Sequence, residues 1–298
     1  RGSWSLPDPF GFLNVDKPAG MTSHDVINKI RRGLHVKKVG HAGTLDPMAT
    51  GVLVVCLGMA TRLSEYVMPS TKRYRARVYL GKTTDTYDAD GDTLTEQDAT
   101  HITRDAVGES LAQFTGQIDQ LPPMYSAIKK DGKKLYELAR EGKTIERDPR
   151  SITIYGLTLI DWQPPEFTLD VVCSAGTYIR SLAYDIGETL GVGAHLSGLI
   201  RTASGAFHVD SAVSLDALLD DSEWMRHIVP VEDALPNLPA VHLDESDVVH
   251  VQHGRNPQSV PAANGDDYAC AYTPQGKMIA ILRADDGQWR PHKVFLSK

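Results

Sequence analysis

The chain reads as an α+β protein in two parts, a mixed α/β domain followed by a small β-rich barrel. Three observations predict this. Up to about residue 235, segments with helical spacing of apolar residues are interspersed with strand-like runs. A proline-rich, acidic connection over 230–239 then interrupts the pattern. Beyond it come only short alternating runs, 269–272, 278–282 and 293–296, separated by Gly, Pro and Asp turns. A length of 298 residues fits about two domains, and the boundary is placed between 235 and 236.

Residues 11–16 form the first predicted strand. Thr22, with Asp25 three positions on, makes a capping box ahead of Val26, Ile27, Ile30 and Leu34 at helical spacing. This helix also carries Lys29, Arg31 and Arg32. A glycine-rich loop over 40–51 leads into the continuous apolar run 52–57, a buried strand, and a short helix is expected over 61–67. The segment 72–80 alternates cleanly: Tyr74, Ala76, Val78 and Leu80 share one face, Arg73, Arg75, Arg77 and Tyr79 the other. Tyr74 therefore points inward and the arginines form an outward cationic stripe. An acidic, turn-rich stretch and a helix over 103–114 follow.

From 121 to 150 the composition turns basic, with Lys129, Lys130, Lys133 and Lys134 and one expected helix over 133–141. This stretch reads as an excursion from the core suited to binding. Strands are expected at 152–160 and 167–174. A helix over 178–190 buries Ile179, Leu182, Ala183 and Ile186 and carries Arg180 in its first turn.

Net charge is −7, but it is unevenly spread. Residues 17–82 hold 12 Lys and Arg against 3 acids, 129–150 hold 8 against 5, and 211–250 hold 1 against 9. A basic face on an acidic molecule suits a polyanionic partner. The three cysteines, Cys56, Cys173 and Cys270, are far apart with no Cys-x-x-Cys, which argues against a disulfide framework or zinc cluster and fits a reducing cytoplasm. No apolar run approaches the roughly 20 residues that span a bilayer, and no apolar signal core opens the sequence.

Several motifs fail. Gly81-Lys82-Thr83 resembles the end of a phosphate loop, but Ala76 stands where its first glycine is required. Asp88-Ala-Asp90-Gly91 resembles a calcium loop, yet Gln97 occupies the bidentate position. His250 and His253 share a helical face without a third ligand, so no metal site is expected. What remains is Gly40-His-Ala-Gly-Thr-Leu-Asp-Pro-Met-Ala-Thr-Gly51, which presents one carboxylate, Asp46, between glycines and before a proline. Read alone, Asp46 is a nucleophile, a general base or a turn residue.

Five segments in order carry a resemblance: 13–23 (LNVDKPAGMTS), 40–51, Lys72-x-Tyr74 leading through Gly81 to Thr84-Asp-Thr-x-Asp88, 120–127 (QLPPMYSA) and 176–181 (GTYIRS). Across roughly residues 11–205 the chain resembles the TruB family of tRNA pseudouridine-55 synthases, of the bacterial stand-alone type. The resemblance implies the pseudouridine synthase fold with a mixed, largely antiparallel sheet, and, more loosely, a C-terminal PUA-like RNA-binding domain over 236–298. It also implies an RNA-clasping insertion over about 121–150. The implied reaction breaks the bond between uracil N1 and ribose and rejoins the sugar through C5, with no cofactor and no metal. Asp46 becomes the reacting carboxylate, attacking either C6 of the base or C1′ of the ribose. Arg180 is its counter-ion, expected to oppose the rise in pKa that burial causes. Tyr74 stacks on the flipped uracil and assists proton removal from C5, completing the catalytic set. His41, Tyr178 and Leu199 are substrate-binding; Leu199 lies beneath the base, although Leu199-Ile-Arg-Thr departs from the family's usual double arginine. Lys17, counted with them, supports the loop alongside Pro18. Arg73, Arg75, Lys129, Lys130, Lys133 and Lys134 are the implied RNA contacts. The partner is the T-arm of tRNA, bound by a cytoplasmic monomer without membrane or guide RNA. Two other readings are an RNA-folding protein with secondary catalysis and a guide-RNA-dependent synthase.

Overall fold

The structure, a computed structural model, describes residues 9–126, 129–130, 133–135, 138, 141, 145–263 and 267–295. Its strands are β1 (Gly11–Lys17), β2 (Val39–His41), β3 (Thr50–Leu57), β4 (Lys72–Leu80), β5 (Lys82–Thr84), β6 (Thr93–Glu96), β7 (Gly116–Gln120), β8 (Lys129–Lys130), β9 (Lys133–Lys134), β10 (Arg150–Gln163), β11 (Glu166–Cys173), β12 (Ala194–Ser204), β13 (Phe207–His208), β14 (Val213–Ser214), β15 (Ile228–Val229), β16 (Ala240–His242), β17 (Tyr268–Tyr272), β18 (Met278–Asp285) and β19 (Gln288–Val294). The helices are α1 (Ser23–Gly33), α2 (Ser64–Val67), α3 (Arg104–Leu111), α4 (Ile179–Thr189), α5 (Leu215–Asp220), α6 (Val231–Ala234) and α7 (Glu245–Gln252).

The main sheet runs β14-β1-β3-β12-β4-β11-β10-β7. Its neighbours are antiparallel except at β1–β14 and β3–β12. The β3–β12 join has only two paired positions, Ile200 with Thr50 and Arg201 with Gly51. On one side of it, β3 is buried on both faces: Leu53, Val55 and Leu57 pack with α1, while Val52, Val54 and Cys56 face a second core. That double burial explains why its sequence is continuously apolar rather than alternating. On the other side, β4, β10, β11 and β12 bury one face against α3 and α4, so β4 alternates buried and open as its sequence requires.

The Thr22 capping box forms as expected, with Asp25 N donating to Thr22 Oγ1 at 3.0 Å and Thr22 N donating to Asp25 Oδ2 at 3.0 Å. Two local expectations change. The helix expected over 61–67 is a 3-10 turn, Gly58–Leu63, passing into α2. Thr61 and Ser64 donate their hydroxyls back to Gly58 O at 2.9 Å and Thr61 O at 3.1 Å, a local bonding that competes with a regular helix. Lys133 and Lys134, expected to begin a helix, pair instead with Lys130 and Lys129. The Asp131-Gly132 dipeptide between them is the sequence signal of a two-residue hairpin. Most of the remainder of that expected helix lies outside the described residues, as do the side chains of all four lysines.

The C-terminal runs form a four-stranded sheet, β16-β17-β18-β19. Its outer layer packs with α7, and its other face shares a core with Phe12, Leu63 and Phe207.

Candidate active site

The loop between β2 and β3 is braced from three directions. Ser23 Oγ, at the start of α1, accepts from Leu45 N at 2.8 Å and donates to Leu45 O at 3.1 Å. Lys17, fully buried at the end of β1, donates to Pro47 O at 3.2 Å and Pro18 O at 2.8 Å, while Gly20 N donates to Pro47 O at 2.8 Å. Arg201, buried on β12, donates to Val52 O at 2.7 Å and Gly43 O at 3.0 Å. Gly51 is required where loop meets strand: its φ is +92°, and a Cβ there would lie 2.3 Å from Arg201 O. With its neighbours fixed, Asp46 is held by backbone on both sides and its carboxylate is aimed at α4.

That carboxylate meets Arg180 in the first turn of α4. Arg180 Nη2 donates to Asp46 Oδ1 at 3.1 Å, and Nε lies 2.9 Å from Oδ2 in an ion pair without hydrogen-bond direction. Arg180 is itself anchored: Nη2 donates to Tyr125 O at 2.8 Å and Nη1 to Thr86 O at 3.1 Å, with Asp88 Oδ2 3.6 Å away. Arg180 exposes 5% of its side chain against 35% for Asp46, so the cation is buried and the carboxylate is partly open to solvent. Burial raises the Asp46 pKa above its ordinary 3.8; Arg180 opposes the rise and Asp88 adds to it. Desolvation therefore outweighs the counter-ion expected to hold this group down.

Tyr74, on the inward face of β4, is buried in the cluster that includes Leu45, Ala49 and Leu199. Its cross-strand neighbours are Arg201 and Val171, and burial raises the pKa of its phenol. Leu199 lies inward on β12 and lines a cleft of about 600 Å³ with Met48, Gly20 and Asp90. Tyr178 precedes α4 as its cap, and Gln120 clamps its backbone, accepting from Tyr178 N at 2.8 Å and donating to Tyr178 O at 3.0 Å. His41 ends β2; burial and Arg201 lower its pKa, and its Nδ1 is buried without a partner among the described residues. Burial lowers Lys17 to about 8, with Asp46 opposing.

The outward stripe is not uniform. Arg73 is paired in a fork with Asp170, its Nε 2.9 Å from Oδ1 and its Nη2 2.9 Å from Oδ2. Arg75 and Arg77 have no acid partner among the described residues and line the open clefts. Asp88, Arg201, Gln120 and Ser23 were not singled out from the sequence. Asp88 sits inside a quoted motif, and Arg201 is an arginine in the inward register of a strand, a pattern that signals a buried structural cation.

The chain is similar to known proteins over most of its length. Residues 31–179 match the TruB family pseudouridylate synthase N-terminal domain, 180–236 the tRNA pseudouridylate synthase B C-terminal domain, and 238–296 the tRNA pseudouridine synthase II C-terminal domain. The tRNA pseudouridine synthase B of Symbiobacterium thermophilum is 49% identical over 250 residues, 83% of each chain. That of Cupriavidus metallidurans is 42% identical over 297 residues, 96% of this chain and 94% of the relative. Among solved structures, a Cbf5-Nop10-Gar1 complex contains a chain 29% identical with a TM-score of 0.73, covering 100% of this chain and 90% of that one. An H/ACA RNP bound to a substrate RNA containing 2′-deoxyuridine matches at 28% identity and a TM-score of 0.73, covering 97% of this chain and 86% of that one. With family models spanning most of its length and relatives this similar over nearly all of it, the chain belongs to the TruB family of pseudouridylate synthases.

Proposed function

We propose that this chain isomerises uridine to pseudouridine in tRNA, at position 55 of the TΨC loop, with Asp46 as the reacting carboxylate. The observation that carries the assignment is the Asp46–Arg180 pair, set on a braced loop whose Leu45 and Ala49 pack with Tyr74 and Leu199 and whose Met48 lines an open cleft with Leu199. The reaction breaks the bond from uracil N1 to ribose C1′ and forms one from C1′ to C5; the proton on C5 is lost and N1 gains one, so no oxidant or reductant is needed. Reaching a base inside a folded T-loop requires flipping it out, which costs a few kcal/mol of stacking and pairing. Stacking on Tyr74 over Leu199 offsets part of that, and His41, neutral at physiological pH, fills space beside the loop. Arg180 orients the carboxylate for attack. The buried Lys17 holds Pro47 and takes no part in bond exchange.

The basic stretch 121–150 clasps the T-arm through phosphates, and residues 236–298 act as an auxiliary PUA-like RNA-binding domain after a catalytic domain over 1–235. The enzyme works as a cytoplasmic monomer. In the test, an unmodified tRNA transcript is incubated with the purified protein alone and mapped by carbodiimide reaction and mass spectrometry. Pseudouridine should form at position 55, and Asp46→Asn should abolish it while leaving tRNA binding nearly intact. Full turnover by Asp46→Asn would end the catalytic assignment.

The likeness to chains from an H/ACA RNP and from a Cbf5-Nop10-Gar1 complex, at 28–29% identity, favours a second reading in which an RNA guide is required. The bacterial relatives at 41–49% identity over most of the chain weigh more heavily. Activity on the bare transcript separates the two.

A further inference from the structure

The open face of the central strands has more structure than a basic stripe. Three residues in register cross it: Thr168 on β11, Arg77 on β4 and Gly198 on β12. A Cβ added to Gly198 would lie 2.7 Å from Arg77 Nε and 3.0 Å from Nη2, so the guanidinium lies directly against the glycine backbone. Two residues along, Arg75 stands between Asp170 and Ile200. Asp170, the acid opposite Arg75, is taken by the diagonal fork from Arg73. Arg75 and Arg77 are thereby left with unspent charge, roughly 7 Å apart along the strand. Ile200 is 36% exposed, an apolar ledge beside Arg75. Clefts of about 520 and 600 Å³ share Thr50, Arg75 and Ile200, and the larger continues to Leu199 and Met48.

We propose that this face is the track for the RNA strand flanking the reacting uridine, with Gly198 as the positioning residue that seats Arg77. The inference rests on the tRNA reading above. Arg75 and Arg77 take successive phosphates, and Ile200 supports the base or ribose between them, the combination of charge and flat apolar surface that single strands need. The adjacent Arg75 and Arg77, set apart from the aspartates at the far end of the smaller cleft (Asp16, Asp210, Asp216), and the reach of the larger cleft to Leu199 and Met48 select this occupant. Gly198 acts by absence: any side chain there lifts the guanidinium off its seat.

Binding of a T-arm stem-loop RNA over a range of salt concentrations tests this, together with KM and kcat on tRNA transcript. Arg77→Ala should weaken binding about tenfold, appear in KM more than in kcat, and reduce the slope of log affinity against log salt by roughly 0.7–0.9. Gly198→Ala meets only the mobile end of a side chain, so its melting temperature should hold while affinity falls a few-fold. Added to Arg77→Ala it should have no further effect. Ile200→Glu, which places a carboxylate among the cations, should weaken binding more than either. An unchanged salt slope in Arg77→Ala, or an equal Gly198→Ala loss with and without Arg77, would overturn the track. If the unaltered protein forms no pseudouridine in tRNA, the function itself fails; normal modification with unaffected variants refutes the track alone.

Discussion

Asp46 carries two opposed influences, and their balance sets how the enzyme responds to acid. Burial and Asp88 raise its pKa; Arg180 lowers it, and the net shift is upward. With Asp46 as the proposed reacting carboxylate its ionised form is the active one, so activity should be present above the shifted pKa and lost as pH falls through it. The acid limb of kcat/KM should therefore have its midpoint above 3.8, the ordinary value for this side chain. Asp88→Asn removes a like charge and should move that limb to lower pH. It should also lower kcat, because Arg180 loses one of its anchors. A pH–rate series on both proteins checks this, and an unmoved limb would count against the coupling. At this scale the sequence was informative where chemistry is local: one acid in a glycine loop, one tyrosine in an inward register, one arginine at a helix start. It was silent where a residue acts through distant backbone. Arg201 reaches Gly43 O across 158 positions, a partnership that no spacing rule contains.

Among the elements, the loop over 40–51 behaves as part of α1 and β12 rather than as a free connection. Ser23 satisfies both backbone groups of Leu45 with one hydroxyl. Ser23→Ala leaves a buried donor and acceptor unpaired, which costs about 1–3 kcal/mol. Thermal melting should shift down by several degrees, and kcat should fall because Asp46 follows Leu45 directly. A variant with lower stability and unchanged kcat would show that the brace serves folding alone. Strand β4 was legible because one of its faces is open, and alternation follows from that. The pairing of β8 with β9 was missed because charged residues carry no periodicity.

The whole molecule is held together by more than a linker. Arg62 donates to Val294 O at 2.8 Å, and Lys293 donates to Arg62 O at 2.7 Å and pairs with Glu65. Beneath these contacts Phe12, Leu63 and Phe207 share a core with Met278, Ile281 and Phe295. The C-terminal module therefore covers apolar surface of the larger domain. Deleting 238–298 should lower the melting temperature and promote aggregation, even though every proposed catalytic residue remains. Calorimetry and light scattering on the shortened chain would check this; an unchanged melt would contradict the shared core. The proline-rich break did indicate a separate sheet. Its docking was not legible, because burying one apolar face against a neighbour leaves no period different from burying it internally.

The two-position join between β3 and β12 bears on how the protein is made. Thr50 and Ile200 meet there, and Asp46 finds Arg180 134 positions away. Contacts this distant in sequence close late, because a long loop must first lose its freedom. During synthesis Asp46 is laid down early, well before Arg180 on α4 and Arg201 on β12. A growing chain that has not reached Arg201 lacks the donors to Val52 O and Gly43 O, so the proposed site is complete only once residue 201 has been made.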